Sequence, residues 1–522
     1  MKNKFEAFGV DIPEILLPAR GTDLTKWAVI ACDQYTSQPD YWENVRREVG
    51  PEPSTLKLIF PEIYLKDADK ESRIENINKT MRQYLDEGIL EPQKPGFILV
   101  DRSTPCTPSR KGLMIAVDLE CYDYNAGSQT LIRATEGTVL DRIPPRVKIR
   151  ENADIELPHI MVLIDDPERT VIEKLYAEKD KYKKLYDFEL MQGGGHIKAW
   201  MVEDDKSLSE VAGALAKLAD PEAFRQKYCL ETGVPSNESE DGSAAHGSED
   251  GSAAHGSGDG SIAQKAGSSA TGVLLFAAGD GNHSLATAKA HWENVKASLM
   301  KGPAAASDPS AIPEHPARYA LVELVNVHDD GLVFEPIHRV LFGINRATVL
   351  DQLKNAARGL PEIEFRLFDS QAEMEKEQCS LRSPDGSASG SSNSSPGVIS
   401  ANKKKKPHVI PFILEGTYGL LIVREPSSSL EVGTLQAILD EFVKNGARMN
   451  GTDTGIEIDY IHGEQVVAEI GSKAGCMGFY LPVMNKHDLF RTVILDGVLP
   501  RKTFSMGEAE EKRYYLECRK IR

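Results

Sequence analysis

Cysteine is scarce. The chain of 522 residues holds seven (Cys32, Cys106, Cys121, Cys229, Cys379, Cys476 and Cys518), and none forms a CxxC pair. The scatter and the odd count argue against a disulfide framework and a structural zinc site, and point to a reducing cytoplasm. Each thiol reads as a small buried apolar residue. Long apolar runs are also missing. No stretch approaches the roughly 20 residues of a membrane helix, so no membrane partner is expected. The opening MKNKFEAFGVDIPEILLP lacks the continuous apolar core of a secretory signal. Positive charge is in deficit: 61 Lys and Arg stand against 79 Asp and Glu, a formal net charge of −18. Such a surface repels nucleic acid unless its basic groups are concentrated locally, and no nucleic-acid partner is expected. What is present, 41% hydrophobic and 27% charged residues, fits a globular protein too long for one ordinary core.

Two segments cannot bury enough apolar surface to offset their ordering entropy. Residues 239–264 repeat SEDGSAAHG twice and then run SGDGSIAQ. Repeat expansion explains His246 and His255 better than metal binding does, and the GGxGxD pattern of calcium-binding nonapeptides is absent. From about Arg382 to Lys406 the chain is rich in Ser and Gly and ends on Lys403 to Lys406, which reads as a solvated loop. A shorter loop is expected at Gly302–Pro316.

Elsewhere strand and helix signals alternate. Strands are predicted at Trp27–Cys32, Gly96–Asp101, Leu113–Leu119, Ile160–Ile164, His196–Val202, Ala317–Val327, Leu332–Phe342, Ile456–Ile461 and Met477–Val483. Helices are predicted at Pro39–Glu48, Arg73–Glu87, Pro167–Tyr186, Leu208–Lys227, Val349–Leu360, Leu430–Asn445 and Glu464–Ile470. Arg513 to Ile521 alternates apolar and charged residues, the pattern of a half-buried edge strand. The fold class is α/β to α+β, with mixed sheets and flanking helices. We divide it into an N-terminal α/β region with a basic strand (1–235), a disordered repeat insert (236–270), a region that completes the core (271–345), and a C-terminal α/β region (346–522) carrying a disordered insert at 380–407.

The most informative segment is VLLFAAGDGNHSLATAKAHWENVK, residues 273–296. An apolar run breaks at Gly279-Asp280-Gly281, and Leu285, Ala288, Trp292 and Val295 then recur at helical spacing. Strand, glycine turn and helix together expose unpaired N–H groups to an anion. With Asn282 as N-cap, one orphan N–H is satisfied and the others face outward. Gly279, Gly281, Asn282 and Ser284 are the candidate phosphate cradle, His283 a donor, and Asp280 a candidate magnesium ligand through one oxygen. A plain Asp-Gly turn before a capped helix accounts for the pattern about equally well.

Further segments carry a resemblance. They are Val29-Ile30-Ala31-Cys32-Asp33-Gln34-Tyr35-Thr36-Ser37, Arg142-Ile143-Pro144-Pro145-Arg146, the Gly279–His283 box and Phe334-Glu335-Pro336-Ile337-His338-Arg339. With these the chain resembles, from about residue 10 onward, the bacterial family termed domain of unknown function 1015. Its box is similar to the Asp-Gly-His-His-Arg box of the ParB/sulfiredoxin-like superfamily, which includes an ADP-dependent free-serine kinase. The resemblance implies a ParB/sulfiredoxin-like core with an additional α/β domain. It also implies a place for Asp280 and His283 at a phosphoryl-transfer centre, with a separate glutamate as base. Here Asn282 stands for the first His and Ser284 for the Arg, so another basic group must contact phosphate.

Residues 133–150, RATEGTVLDRIPPRVKIR, are the candidate supplier. Arg146, Lys148 and Arg150 alternate with Val147 and Ile149 and would share one strand face. Arg133 and Arg142 add to the cluster, although any single arginine is better explained by pairing with a surplus carboxylate. Glu136, beside Thr135 and Thr138, is the candidate base. His462, between a strand and a helix, is a second contributor of imidazole. Tyr35, Thr36 and Ser37 follow a strand and are weaker candidates for the same pocket. His338 reads as a core histidine beside a surface Arg339.

The expectation is a phosphoryl-transfer enzyme acting on a small hydroxylated acid, with free serine or O-phosphoserine first, using magnesium and ADP or ATP. Its partner is then a small phosphorylated or anionic metabolite. The alternative is a non-catalytic nucleotide-binding regulatory or interaction protein of the same fold. A metal hydrolase built on His283, His338 and His462 ranks third, since three ligands must converge. Deletion of residues 239–264 is expected to leave a cooperative melting transition, which calorimetry checks directly.

Overall fold

The computed structural model describes residues 3–36, 38–230, 272–301, 314–358, 363–382, 406–450 and 455–522. The repeat at 239–264, most of 382–406, most of the loop at 302–316 and Ser37 lie outside them. Arg382, assigned above to an insert, ends the helix Gln371–Arg382 and donates to the Val409 carbonyl at 3.1 Å.

A ten-stranded sheet forms the first layer. In spatial order its path runs Lys183–Glu189, His196–Val202, Phe97–Ser103, Arg110–Asp118, Tyr319–Asn326, Met161–Ile164, Phe276–Asp280, Ile132–Ala134 and Tyr122–Asp123, and Val10–Asp11 pairs with Arg110–Asp118. Pairing is mixed. Met161–Ile164 runs parallel to Tyr319–Asn326 and antiparallel to Phe276–Asp280, which is parallel to Ile132–Ala134. Central strands such as FILV and LMIAV are continuously apolar because both faces are covered. Alternate side chains serve opposite layers. Ile98, Val100 and Met114 pack with Trp27, Trp42, Ile74 and Met81 from the N-terminal helices. Phe97, Leu99 and Leu113 pack with Leu208, Leu285 and Trp292 on the other side.

A second, seven-stranded sheet is antiparallel throughout. Its path is Ile363–Phe368, Thr417–Val423, His408–Leu414, Cys476–Phe479, Phe334–Phe342 and Glu457–His462, and Phe504–Met506 pairs with Phe334–Phe342. Phe334–Phe342, grouped by the sequence with the core-completing region 271–345, is therefore a strand of the second sheet. Met161, Leu163, Ala277 and Val325 of the first sheet pack against Phe334, Phe490, Phe504 and Met506 where the two sheets meet. The chain is a mixed α/β protein, as the alternating pattern predicts.

Several local expectations are corrected. Lys183–Glu189 is a strand, not the end of a charged helix; the helix there is only Ile172–Ala177. The predicted helix 208–227 is two helices, Asp205–Leu218 and Pro221–Tyr228, because Pro221 starts a new one capped by Asp220. The capping-box pattern that Ser505-Met506-Gly507-Glu508 suggests does not form: Ser505 lies in a strand, and the capping pair is Glu508 with Glu511, whose carboxylate accepts the Glu508 N–H at 2.9 Å. Arg339 is fully buried, donating to the carbonyls of Ile337, Arg501 and Lys502.

The largest correction concerns residues 511–522. They form no half-buried edge strand. Arg513, Glu517 and Arg519 are buried. Arg513 meets Glu323 at 2.5 Å and also pairs with Glu517, Tyr186 donates to Glu517, and Arg519 meets Glu156 at 2.7 Å. Mutual pairing is what lets these charges leave water. Among the described residues no helix is long and apolar enough to cross a membrane.

Burial holds the His338 and His291 imidazoles down to about 4, and His338 Nδ1 accepts the Leu481 N–H at 3.1 Å. The unfolded chain takes up these protons at about pH 6.5, so folded stability falls as pH drops from about 6.5 towards 4. Denaturation midpoints measured across that window should decline, and His338→Phe should make the decline shallower.

Candidate active site

The strand Phe276–Asp280 ends beside the end of its parallel neighbour Ile132–Ala134 and the start of its antiparallel neighbour Met161–Ile164. Residues 135–139, 280–284 and 159–160 thereby converge on one edge of the first sheet. Gly281 turns the chain with φ of 74°, and a Cβ there would lie 3.1 Å from the Ile160 Cα. Glycine is required on both counts. Gly279 serves packing instead. A Cβ there would lie 2.8 Å from the Leu163 side chain, so this glycine permits close approach and does not face a ligand.

The helix Asn282–Leu299 is capped by Gly281, not by Asn282. The Asn282 amide is buried and turned inward, accepting the Thr135 N–H at 3.3 Å and donating to Thr135 Oγ1 at 3.4 Å. Thr135 Oγ1 in turn donates to the Ala278 carbonyl at 2.6 Å. Asn282 thus ties two parallel strand ends together. Among the described residues no side chain accepts from the first turn of the helix, so its N–H groups are open to an outside acceptor.

Asp280 uses both oxygens. Oδ1 accepts the Gly281 N–H at 2.9 Å, and Oδ2 accepts from Lys512 Nζ at 3.0 Å. Burial works to raise its pKa, but the Lys512 ammonium outweighs burial and holds the carboxyl below its ordinary value. Glu136 is the reverse case. Its carboxylate accepts the N–H groups of Lys502 and Thr503, both at 3.2 Å, yet burial and the nearby Asp280 charge push its pKa up. Lys502 holds a left-handed backbone at φ of 58°, a conformation that costs a non-glycine residue.

His283 Nε2 accepts the Val139 N–H at 3.1 Å, which leaves Nδ1 as the ring's only donor. Burial, with Arg142, Arg146 and Lys502 adding, lowers its pKa to about 4, so the ring is neutral near pH 7. Ser284 Oγ lies 3.1 Å from His159 Nε2, and His159 Nδ1 lies 2.8 Å from the Tyr515 hydroxyl.

The basic segment is a helix, Ile143–Arg150, not a strand. Pro144 and Pro145 suit the first helical turn, where no N–H is needed. Helical spacing of four puts Arg142, Arg146 and Arg150 on one face, against the box helix. Lys148 leaves that set and pairs with Glu71 at 3.0 Å on the surface. Arg146 pairs with Glu62, and Arg150 with Glu156 at 2.5 Å. Among the described residues neither the Arg142 guanidinium nor the Lys502 ammonium meets a carboxylate. Arg133 is remote from the turn: it is buried and binds the carbonyls of Thr130 at 2.9 Å and Gly272 at 2.7 Å. His462 comes from the end of a second-sheet strand, and burial lowers its pKa, opposed by Glu508 and assisted by Lys502 and Lys512. Tyr35 stacks on Tyr41, with ring centroids 3.9 Å apart.

A family model described as "Protein of unknown function (DUF1015)" matches residues 16–442. The chain belongs to this family. No curated protein matches it in sequence. Among solved structures it is similar to a conserved hypothetical protein from Pyrococcus furiosus, at 13% identity over 46% of this chain and 71% of that one, with a TM-score of 0.26. It is also similar to a free serine kinase mutant in complex with AMP, at 12% identity over 47% of this chain and 73% of that one, again with a TM-score of 0.26. At these scores neither overlay bears on the chemistry of the site.

The DUF1015 chain therefore collects Glu136, Asp280, His283 and Ser284 from the first sheet, Arg142 and Arg146 from the basic helix, and His462 from the second sheet. Sequence reading missed Lys512, Lys502 and His159. Lys512 sits among glutamates just before the stretch read as a half-buried edge strand, and His159 precedes a strand without any local motif. Only the antiparallel register of Met161 with Asp280 brings His159 to Ser284.

Lys512 is nearly enclosed and Asp280 partly so. Lys512→Met should cost about 2–4 kcal/mol, below the fully buried range because Asp280 keeps some solvent. Combining it with Asp280→Asn should recover part of that loss, and a double-mutant cycle by thermal denaturation measures the coupling.

Proposed function

We propose that the chain is a phosphoryl-transfer enzyme acting on a small hydroxylated acid, with free serine or O-phosphoserine as the first candidates. One observation carries the reading. A helix start without a side-chain cap among the described residues adjoins two carboxylates of opposite basicity and a neutral imidazole, and Arg142 and Lys502, which meet no carboxylate among the described residues, stand near that imidazole. Phosphoryl transfer depends chiefly on positioning and charge neutralisation. Glu136, with its raised pKa, takes the hydroxyl proton of the acceptor. His283 donates from Nδ1 to a phosphoryl oxygen as a neutral ring, and its low pKa argues against service as an acid. The first-turn N–H groups of the box helix and Arg142 receive phosphate charge, and Lys512 keeps Asp280 ionised and in place.

A magnesium ion does not fit directly on Asp280, since the Lys512 ammonium 3.0 Å from Oδ2 would repel a second cation on the same carboxylate. In this reading magnesium enters as the counter-ion of ADP or ATP, in a cytoplasmic enzyme. A ParB/sulfiredoxin-like core around the box belongs to the same proposal. The second reading, a nucleotide-binding regulatory protein without catalysis, draws on the internal engagement of Asp280 and Asn282.

Asp280→Asn is expected to lower turnover by ~10²-fold or more with the fold intact, by the measure of a lost electrostatic group. Full retained activity towards serine or O-phosphoserine rejects the assignment. A thermal-shift series with ADP, ATP, CTP, serine, O-phosphoserine and magnesium separates the two readings. Stabilisation by nucleotide with no phosphate transferred or released favours the second.

A further inference from the structure

Ser284 is the third residue of the box helix, and its hydroxyl begins a chain of polar contacts. Ser284 Oγ lies 3.1 Å from His159 Nε2, and His159 Nδ1 lies 2.8 Å from the Tyr515 hydroxyl. The Tyr515 oxygen also accepts the Cys32 N–H at 3.2 Å, and its ring meets the imidazole edge-on, with centroids 5.5 Å apart. Burial keeps both the Tyr515 hydroxyl and the Cys32 thiol protonated, and the thiol sulfur stands where it can take the hydrogen of that hydroxyl. The Tyr515 oxygen is then open to His159 Nδ1–H. That tautomer leaves Nε2 as an acceptor for the Ser284 hydroxyl proton. A hydroxyl, an imidazole and a third group that orients the imidazole are recognised as a nucleophile and its base by geometry, not by order in the chain. Asp280 stands within reach of the His159 charge, so an imidazolium there has a counter-ion.

Ser284, His159 and Tyr515 line a cavity of about 170 Å³. One water needs ~10–15 Å³ by the same kind of measure, so the space takes a small organic group. Leu58, Ile77, Met81, Ile149 and Ile155 make much of the rest of its wall. Two closed ion pairs, Arg146 with Glu62 and Arg150 with Glu156, complete it, so their charges cancel and the space suits an uncharged group. Apolar surface placed there gains ~25 cal/mol for each square ångström taken out of water. The N–H groups of the helix's first turn, which no side chain accepts among the described residues, are donors available to a developing oxyanion.

We propose that Ser284 and His159 hydrolyse carboxylic esters whose acyl group is short and apolar. Ser284 Oγ bonds to the ester carbonyl carbon while its proton passes to His159 Nε2. The bond from that carbon to the alcohol oxygen breaks, and His159 gives the proton to the departing alkoxide. Water then attacks the acyl-serine and gives a proton to His159, which returns it to Ser284 Oγ as the carboxylic acid departs. Tyr515 acts through His159, whose tautomer it holds. This activity is additional to phosphoryl transfer and does not rest on it.

The full chain is assayed with para-nitrophenyl butyrate and para-nitrophenyl acetate, and is labelled with a fluorophosphonate, which bonds covalently to an activated serine. Hydrolysis above the buffer rate is expected, with an adduct on Ser284 located by peptide mass spectrometry. The kcat/KM for the butyrate should exceed that for the acetate by about tenfold, from its additional CH₂ groups in the cavity. Ser284→Ala and His159→Gln should each lower the rate by about a hundredfold or more. Tyr515→Phe should lower kcat by about tenfold and leave KM unchanged, the split expected of a group that acts only through His159. If a variant fails to fold, the adduct on the unaltered chain decides. No hydrolysis above buffer, an adduct on another residue, equal kcat/KM for the two esters, or a folded Ser284→Ala chain at full rate overturns the proposal.

Discussion

Two adjacent cations, Lys512 and Arg513, join the candidate site to the interior of the first sheet. Lys512 balances Asp280 at the glycine turn, and Arg513 balances Glu323 and Glu517 beneath it. Without Arg513 these carboxylates would be left unpaired in the interior, and an unpaired buried charge costs several kcal/mol. Glu323 lies in the middle of a sheet strand, where Gly112 on the neighbouring strand leaves room for its side chain. The pairing anchors the C-terminal segment against the sheet. Tyr514 and Tyr515, Cys518 and Ile521 then drop into the same apolar layer as Trp27 and Trp42.

The same constraint explains the electrostatics of the site. A carboxylate held down by an ammonium stands near a carboxylate pushed up by burial, and burial together with Arg142, Arg146 and Lys502 keeps a histidine neutral. Groups of like kind driven apart in acidity by their surroundings are a common mark of acid–base chemistry. The second sheet takes part through His462 and through the Lys502 and Thr503 amides on Glu136. The site is thus built across both sheets, and the apolar contact of Phe334, Phe504 and Met506 with Leu163 and Ala277 holds the two together.

Much of the strand pattern is legible in the sequence. His196–Val202 is predicted at its full length, and the strand–turn–helix order around Gly281 is predicted, although the strand runs on through Gly279 and Asp280 and the cap is Gly281. The errors have physical causes. Arg146 to Arg150 alternates in charge as a strand would, but a proline pair starting a helix is the stronger signal and prevails. Lys183–Glu189 is an edge strand whose exposed lysines mask its period. Asn282 looks like a cap because caps are chosen by residue type, whereas its amide is used across strands. Lys512 and His159 lie 232 and 125 residues from their partners, and no local pattern reports a contact of that span.

The position of residues 511–522 has a consequence for biosynthesis. A ribosome delivers a chain in order, and these residues follow everything they hold in place. Until they emerge, Glu323 has no counter-charge, the layer around Trp27 is open on one side, and Asp280 lacks its ammonium. The first sheet therefore cannot settle while its own strands are being made, and the nascent chain waits, partly assembled, until residues 511–522 have followed.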